Sequence, residues 1–149
     1  MIQIGIDTSV LIGLLDPADI WHQRAVALKE ALVAHDANIA VFDCVLAEAV
    51  STMARRIHEQ RRADDLDRLL GRILSDHPAD DVLWVLPDVP VLYAEIIELV
   101  RASGGALNFN DALIALSCRQ REIPLIASFD RDFDALDWLG RVAQPDDLP

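Results

Sequence analysis

The chain opens with MIQIGIDTSVLIGLL, residues 1–15, and this stretch predicts how the fold begins. The isoleucines at positions 2, 4 and 6 alternate as in a β-strand, and the apolar run from Val10 to Leu15 is typical of the start of a helix. Asp7 lies between the two apolar runs. A buried carboxylate is costly unless it is paired or bound to a metal, so we expect a group beside Asp7 that compensates its charge.

Length and composition favour a single domain over residues 1–149. Of the 149 residues, 52% are hydrophobic, which is enough for one core. The closing QPDDLP, residues 144–149, is a polar tail that need not be ordered. No apolar segment approaches the ~20 residues of a membrane span, so we expect a cytoplasmic protein with no membrane partner. Cys44 and Cys118 are far apart and lack metal-type spacing, so we expect buried free thiols.

The charge of the chain limits how it could meet a nucleic acid. A formal net charge of −12 argues against indiscriminate coating of phosphates. One segment is nevertheless locally positive, because arginines at positions 55, 56, 61, 62, 68 and 72 outnumber the acids at 59, 64, 65 and 67. Two interpretations stay open: a solvated helical hairpin with paired charges, or a surface that contacts phosphate through residues such as Arg55 and Arg56.

Short apolar or β-branched runs alternate with longer helical patterns along the chain. The strand candidates are residues 2–6, 39–42, 82–86 and 125–127, with 141–143 as a weaker fifth. Helical spacing of apolar residues covers 20–34, 45–57, 66–74, 91–102 and 111–120, and its clearest stripe is Leu46, Val50, Met53 and Ile57. This alternation predicts βαβ units around a parallel sheet, which is an α/β fold.

An aspartate follows each of the four main strand candidates, at Asp7, Asp43, Asp88 and Asp130. In open α/β sheets, ligands bind outside the carboxyl ends of the strands, so these positions are candidates for a shared site. Asp43 and Asp88 are equally well explained as helix N-caps or turn residues. Asp7 could also be a cap, but the apolar residues on both sides make that role less satisfying.

Two further acids lie at the starts or on the faces of predicted helices. With Asn108 as N-cap, Asp111 occupies the third helical position, which is the arrangement of a capping box. Glu48 points away from the apolar stripe of its helix, so it belongs either to a solvated face or to a polar cleft. Among the aspartates of SFDRDFDALDWL, residues 128–139, Asp130 is nearest the end of the strand.

These residues resemble the PIN domains, and in particular the small VapC-type toxin ribonucleases of toxin–antitoxin pairs. The resemblance covers essentially the whole chain. It is carried by DTSVL at residues 7–11, by Glu48 in the helix after the second strand, by NDALIAL at 110–116 and by SFDRDF at 128–133. The order and spacing of the four pieces make it specific.

The resemblance implies a three-layer α/β/α fold with a central parallel sheet of about five strands, and a divalent ion that serves RNA cleavage. Carried across position by position, Asp7, Glu48, Asp111 and Asp130 take the catalytic acidic places, and all of these except Glu48 are metal ligands. Supporting places fall to Ser9, where the family often has asparagine, and to Asp132, which could share or replace the role of Asp130. Arg55 and Arg56 become candidates for binding RNA. A cognate antitoxin and a homodimer are also implied.

The chemistry of these residue types agrees with that implication. Converging carboxylates repel one another, so the site needs a cation, and oxygen-only ligands favour Mg²⁺ or Mn²⁺ over zinc. No histidine pair at ligand spacing and no Ser/His/Asp or Cys/His set offers another mechanism. Such an ion can bind a phosphate oxygen and lower the pKa of a bound water. We therefore expect a hydrolase, a Mg²⁺- or Mn²⁺-dependent endoribonuclease.

Two other functions are weighed against this one. A haloacid-dehalogenase-like phosphatase would need a second acid two residues after its first, where this chain has Ser9. A non-catalytic PIN-fold binding module would have little reason to keep all four acidic places filled. Trp21, Trp84 and Trp138 are interpreted as core or interface anchors rather than base-stacking platforms.

Overall fold

A parallel four-stranded sheet lies at the centre of the computed structural model, which describes all 149 residues. The strands are β1 (Gln3–Ile6), β2 (Asn38–Ala40), β3 (Leu125–Ala127) and β4 (Gly140–Val142), in the spatial order β2-β1-β3-β4. β1 is therefore paired on both sides, with Gly5 opposite Ala40 of β2 and Ile126 of β3. The first strand of the sequence becomes the middle of the sheet, as its alternating isoleucines favour.

Six helices flank the sheet and complete the predicted three-layer α/β/α arrangement, which is confirmed. They are α1 (Thr8–Leu15), α2 (His22–Ala34), α3 (Asp43–Glu59), α4 (Ala63–Asp76), α5 (Val89–Ala102) and α6 (Phe109–Gln120). The helix α6 is buried along eight consecutive residues, from Asp111 to Cys118, because it packs between the sheet and neighbouring helices. None of the six helices is both long enough and apolar enough to span a lipid bilayer.

The core forms where the side chains of β1 meet the helices. Ile4 and Ile6 point to one side of the sheet and are buried. Gly5 points to the other side, where a Cβ would lie 3.1 Å from Phe42 and 3.2 Å from the sulfur of Cys118. A side chain at position 5 would therefore push α6 away from the sheet. Cys44 and Cys118 are buried free thiols, as expected.

The predicted strand at residues 82–86 is wrong, and the sheet has four strands rather than about five. Only Leu83 pairs with the sheet, in a single parallel bridge to Phe42. The backbone N–H groups of Val85 and Leu86 donate instead to the carboxylate of Asp43 at 2.9 and 3.0 Å. A side chain thus takes the donors that a strand would use for pairing, and the chain turns into a 3-10 helix at Leu86–Asp88.

Of the two interpretations of Asp43 and Asp88, the helix N-cap is not observed, since neither side chain caps the helix that follows it, whereas Asp88 is a turn residue at the end of the 3-10 helix Leu86–Asp88. Asp43 is already the first residue of α3, and its carboxylate accepts from the N–H of Cys44 at 2.9 Å as well as from the 85–86 segment. Asp88 precedes α5 and forms an ion pair with Arg121 at 3.0 Å. Asp43 thus connects α3 to residues 85–86, and Asp88 connects the start of α5 to Arg121.

The polar end of the chain is folded back onto the domain. Residues Pro145–Asp147 form a 3-10 turn, and the carboxylate of Asp147 accepts from the N–H groups of Ala143 and Gln144 at 2.9 and 3.2 Å. This turn closes over the end of β4, on the side of the sheet where α2 lies.

Candidate active site

The candidate site begins where β1 and β3 end side by side. The N–H of Asp7 donates to the carbonyl of Ala127 at 2.9 Å, which continues the strand pairing by one residue. Asp7 therefore leaves the sheet beside Ser128, the first residue after β3. Because both strands run the same way, the residues that follow them are brought to one edge.

Asp7 is buried, with 6% of its surface exposed, and no lysine or arginine pairs with it. Its Oδ2 accepts hydrogen bonds from the hydroxyls of Ser128 at 2.7 Å and Ser9 at 3.1 Å. Burial raises the pKa of Asp7 above its ordinary value; the two hydroxyls oppose the rise, and the negative charge of Glu48 adds to it. The groups that contact this carboxylate are thus neutral hydroxyls, and no positively charged side chain compensates its charge.

Glu48 reaches the same edge from α3. Its Oε2 accepts from the hydroxyl of Thr8 at 3.1 Å and from the side-chain amide of Asn110 at 3.4 Å. Thr8 opens α1 and Asn110 lies in the first turn of α6, so Glu48 joins the starts of both helices. Glu48 therefore lines a polar cleft and does not lie on a fully solvated helix face.

Asp111 lies at the start of α6, in the predicted capping box, which is confirmed. The side-chain oxygen of Asn108 accepts from the Asp111 N–H at 2.9 Å, and the Asp111 carboxylate accepts from the Asn108 N–H at 3.0 Å. Burial raises the pKa of Asp111 to about 6, and the charges of Asp7, Asp130 and Glu48 act in the same direction. Asp7, Glu48 and Asp130 are therefore all within electrostatic reach of Asp111.

Asp130 is tied to this edge through Ser128. The Ser128 hydroxyl donates to Asp7 and accepts from the backbone N–H of Asp130 at 3.0 Å. Asp132 lies one step further out and is exposed; its N–H donates to the Asp130 carboxylate at 2.9 Å. The charge of Asp130 raises the pKa of Asp132, but only Asp130 of the two acts on Asp111. Asp130 is thus the inner member of the pair.

We call Asp7, Glu48, Asp111 and Asp130 the acidic centre. Their side chains offer oxygen atoms only, and the donor chemistry fits a hard divalent cation. As the carboxylates stand, no three His, Cys, Asp or Glu side chains in the chain are arranged to hold a metal ion. Glu48 and Asp130 are turned toward the hydrogen-bond donors described above. An ion would have to draw carboxylates inward against those bonds.

Three side chains of this edge had no role assigned from the sequence: Thr8, Asn110 and Ser128. Each lies next to a candidate acid or two residues from one, and each holds a carboxylate of the acidic centre by a hydrogen bond. A hydroxyl or amide directly after a strand or at a helix start was the available signal, but such residues are common there for capping alone.

Most of the positive segment from 55 to 72 is paired. Arg56 donates to Asp19 at 2.8 Å, and Arg62 donates to Asp16 at 2.8 Å and to Asp65 at 2.9 Å. Arg68 and Arg72 also have acidic partners. Arg55 is exposed and forms no ion pair within 4 Å. The hairpin with paired charges describes most of this segment, and an RNA-binding role for Arg55 and Arg56 stays a prediction.

Three solved structures share this fold. VapC20 of Mycobacterium tuberculosis, described as a sarcin-ricin loop cleaving toxin, is 23% identical with a TM-score of 0.67, over 91% of this chain and 95% of its own. FitAcB from Neisseria gonorrhoeae is 23% identical with a TM-score of 0.58, over 97% and 99%. VapBC2 from Rickettsia felis, bound to a DNA fragment from their promoter, is 17% identical with a TM-score of 0.60, over 95% and 99%.

Comparison of the sequence with curated proteins and with protein-family models gives two results. No curated protein matches this chain. The family model described as PIN domain matches residues 4–139, which include all of the acidic centre and both strands that deliver it. The chain therefore belongs to the PIN domain family.

Proposed function

We propose that this protein is a metal-dependent endoribonuclease of the VapC type, the toxin of a toxin–antitoxin pair. The observation that carries the proposal is a group of acids at one edge of the sheet, where the charges of Asp7, Glu48 and Asp130 all act on Asp111. No lysine or arginine pairs with the buried Asp7. A fold alone would not maintain such repulsion, since a buried acid is readily replaced by a neutral residue.

The structural neighbours support the choice of substrate and partner. VapC20 is described as a toxin that cleaves the sarcin-ricin loop, and we propose RNA as the substrate here on that analogy. VapBC2 and FitAcB support the proposal of an antitoxin partner. A homodimer is proposed on the resemblance of the sequence to VapC-type toxins alone. We also propose a cytoplasmic location, which agrees with RNA as the substrate and an antitoxin as the partner.

In the proposed mechanism, the metal ion would be held by Asp7, Asp111 and Asp130. Glu48 would accept a proton from the attacking water. A bound Mg²⁺ or Mn²⁺ supplies charge for a phosphate oxygen and lowers the pKa of an attacking water. Thr8 and Asn110 fix Glu48 through Oε2, which orients the carboxylate to accept a proton from that water. Ser128 and Ser9 hold Asp7 in place while it binds the ion. The water oxygen would then bond to phosphorus as the P–O bond to the leaving oxygen breaks; Glu48 would accept the proton of the water, and the leaving oxygen would take a proton from solvent.

The test is RNA cleavage by protein freed of any antitoxin. We expect structured RNA to be cut with Mn²⁺ or Mg²⁺ and left intact with excess chelator. Asp134→Asn is the matched control, because Asp134 is an exposed aspartate paired with Arg141 outside the acidic centre. Cleavage that persists in chelator would exclude the mechanism, and RNA left whole with every divalent ion would exclude the activity.

A further inference from the structure

A pocket of about 260 Å³ lies beside the acidic centre and is lined by Trp21, Arg24, Phe129, Arg131, Arg141 and Gln144 among others. It shares a segment of chain with the centre, because Phe129 and Arg131 flank Asp130. The backbone N–H of Phe129 also donates to the Ser9 hydroxyl at 3.1 Å, and Ser9 in turn contacts Asp7. The pocket therefore adjoins the acidic centre, and the two share residues 129–131 as a common border.

An aromatic pair forms one wall of the pocket. The rings of Trp21 and Phe129 stack with centroids 5.1 Å apart and an angle of 22° between their planes. The guanidinium of Arg24 lies over both rings, 4.9 Å from the centroid of Trp21 and 5.4 Å from that of Phe129. A guanidinium held by its face leaves its N–H groups, which lie in its plane, free to donate.

The charges around the pocket favour an anion. Arg24 and Arg131 are exposed and form no ion pair within 4 Å. Arg141 is already held by two bonds to Asp134, at 2.7 and 3.0 Å. The one carboxylate of the lining, Asp147, accepts from backbone N–H groups in the C-terminal turn. Two arginines are thus left without a partner in a chain whose net charge is −12.

We propose that this pocket binds a backbone phosphate of the RNA substrate, next to the phosphate that is cleaved, through Arg24 and Arg131. The inference rests on the proposed function and adds to it a positioning site that sets the path of the strand. A phosphate fits better than a stacked base, because the rings of Trp21 and Phe129 already stack on each other and the Arg24 guanidinium lies 4.9 and 5.4 Å from their centroids. The pairing of guanidinium N–H groups with phosphate oxygens is the contact that such an arginine makes best.

The test separates RNA binding from RNA cleavage. Binding of a labelled single-stranded RNA is measured by fluorescence anisotropy with chelator, across a range of salt concentrations, for the full chain and for the double variant Arg24→Gln, Arg131→Gln. We expect affinity to fall about tenfold and the slope of log K against log salt to become shallower by about 0.7, the loss of one phosphate contact. The control is Arg101→Gln, Arg119→Gln, which removes the same charge from exposed arginines on α5 and α6.

A second variant keeps the charge of Arg24 and removes the Trp21 ring that Arg24 contacts. Trp21→Leu should weaken RNA binding several-fold with little change in the salt dependence of affinity. Arg24 keeps its charge in this variant but loses the ring that orients its guanidinium. Thermal melting of each variant verifies that it is folded.

The outcomes distinguish this inference from the proposed function. If the double variant binds RNA with the affinity and salt slope of its control, the pocket is not on the RNA path and the inference is overturned. If the double variant keeps its RNA affinity but no longer binds the antitoxin, the pocket recognises protein carboxylates, which overturns it equally. If the native protein binds RNA but never cleaves it, the proposed function fails, while the binding comparison still decides the role of the pocket.

Discussion

Asp7 and Asp43 are two aspartates that follow neighbouring strands and are almost equally buried, with 6% and 5% of their surface exposed. Their hydrogen-bond donors differ. Asp43 accepts from three backbone N–H groups, of Cys44, Val85 and Leu86, whereas Asp7 accepts from two serine hydroxyls. The same pattern in the sequence therefore leads to two kinds of site.

The kind of donor decides what each acid can do. Backbone N–H groups are fixed in direction, so the carboxylate of Asp43 holds the 85–86 segment against the start of α3 and is saturated there. Hydroxyls rotate and can turn to another acceptor when a carboxylate takes a new partner. The charge of Glu48 also acts on Asp7, and the charge of Asp7 acts on Asp111. We infer that Asp43 serves folding and that Asp7 serves the proposed chemistry.

The largest effect is expected for Asp43→Ala, which leaves two buried N–H groups and one partly buried N–H group without an acceptor. The free energy of unfolding should fall by roughly 3–5 kcal/mol, at one or more for each stranded donor. Urea denaturation in chelator measures this loss. The control is Asp88→Ala, which breaks a half-exposed ion pair with Arg121 and should cost about 1 kcal/mol or less. Equal losses for both variants would remove the structural role assigned to Asp43.

The next effect is expected for Asp7→Asn, and it falls on activity. Loss of a ligand carboxylate should reduce RNA cleavage at least about 100-fold, while the metal-free protein stays as stable as the native one or becomes slightly more stable. The stability follows from burial and like charge, which raise the pKa of Asp7 and make a neutral side chain less costly there. Single-turnover cleavage and denaturation of the same preparation test both parts. A sharply destabilised apo variant would make Asp7 a folding residue like Asp43.

How far the sequence predicts each region depends on the range of its contacts. The β1 strand and the capping box of Asn108 and Asp111 were predictable because the relevant residues lie within a few positions of each other. The bonds from Val85 and Leu86 to Asp43 join residues more than 40 positions apart, and nothing local indicates them. That is why residues 82–86 were predicted as a strand on composition that suits one.

The acidic centre is less predictable from the sequence than the local elements and more predictable than the contacts of Asp43. The positions of its members were carried across from a resemblance to PIN domains, and their convergence follows from parallel strands that end at one edge. The hydroxyl and amide partners, and the stacking of Trp21 on Phe129, depend on how loops pack and have no periodic signal. The interpretation of Trp21 as an ordinary anchor missed its contact with Arg24 for the same reason.

A third expected effect concerns the response of stability to metal. Mn²⁺ at one hundred times its dissociation constant should stabilise the native protein by about 2.7 kcal/mol, a rise of roughly 5–10 °C in melting temperature. Asp7→Asn should lose most of that rise. Asp43→Ala should start from a lower melting temperature and still gain nearly the full increment, because its acidic centre is intact. A normal rise in Asp7→Asn would place the ion elsewhere.

The smallest effect is a pH dependence that belongs to the acidic centre alone. Burial and three neighbouring carboxylates raise the pKa of Asp111 to about 6 from an ordinary value of 3.8. As the pH rises from about 4 to about 6, the unfolded chain releases this proton first, so the metal-free native protein should lose stability across that window. The loss should be on the order of 1 kcal/mol, once partial solvent screening of the carboxyl is taken into account.

Other acids titrate in the same window, so the measurement is a difference. Asp111→Asn keeps an oxygen that can accept from the Asn108 N–H but has no proton to release. The stability of the native protein minus that of Asp111→Asn, both in chelator, should therefore decline from pH 4 to pH 6 and then level off. With saturating Mn²⁺ the decline should reverse for the native protein, because the ion competes with the proton and binds more tightly as Asp111 ionises. A flat difference in chelator would mean that Asp111, like Asp43, is held by its backbone donors and carries no share of the repulsion at Asp7.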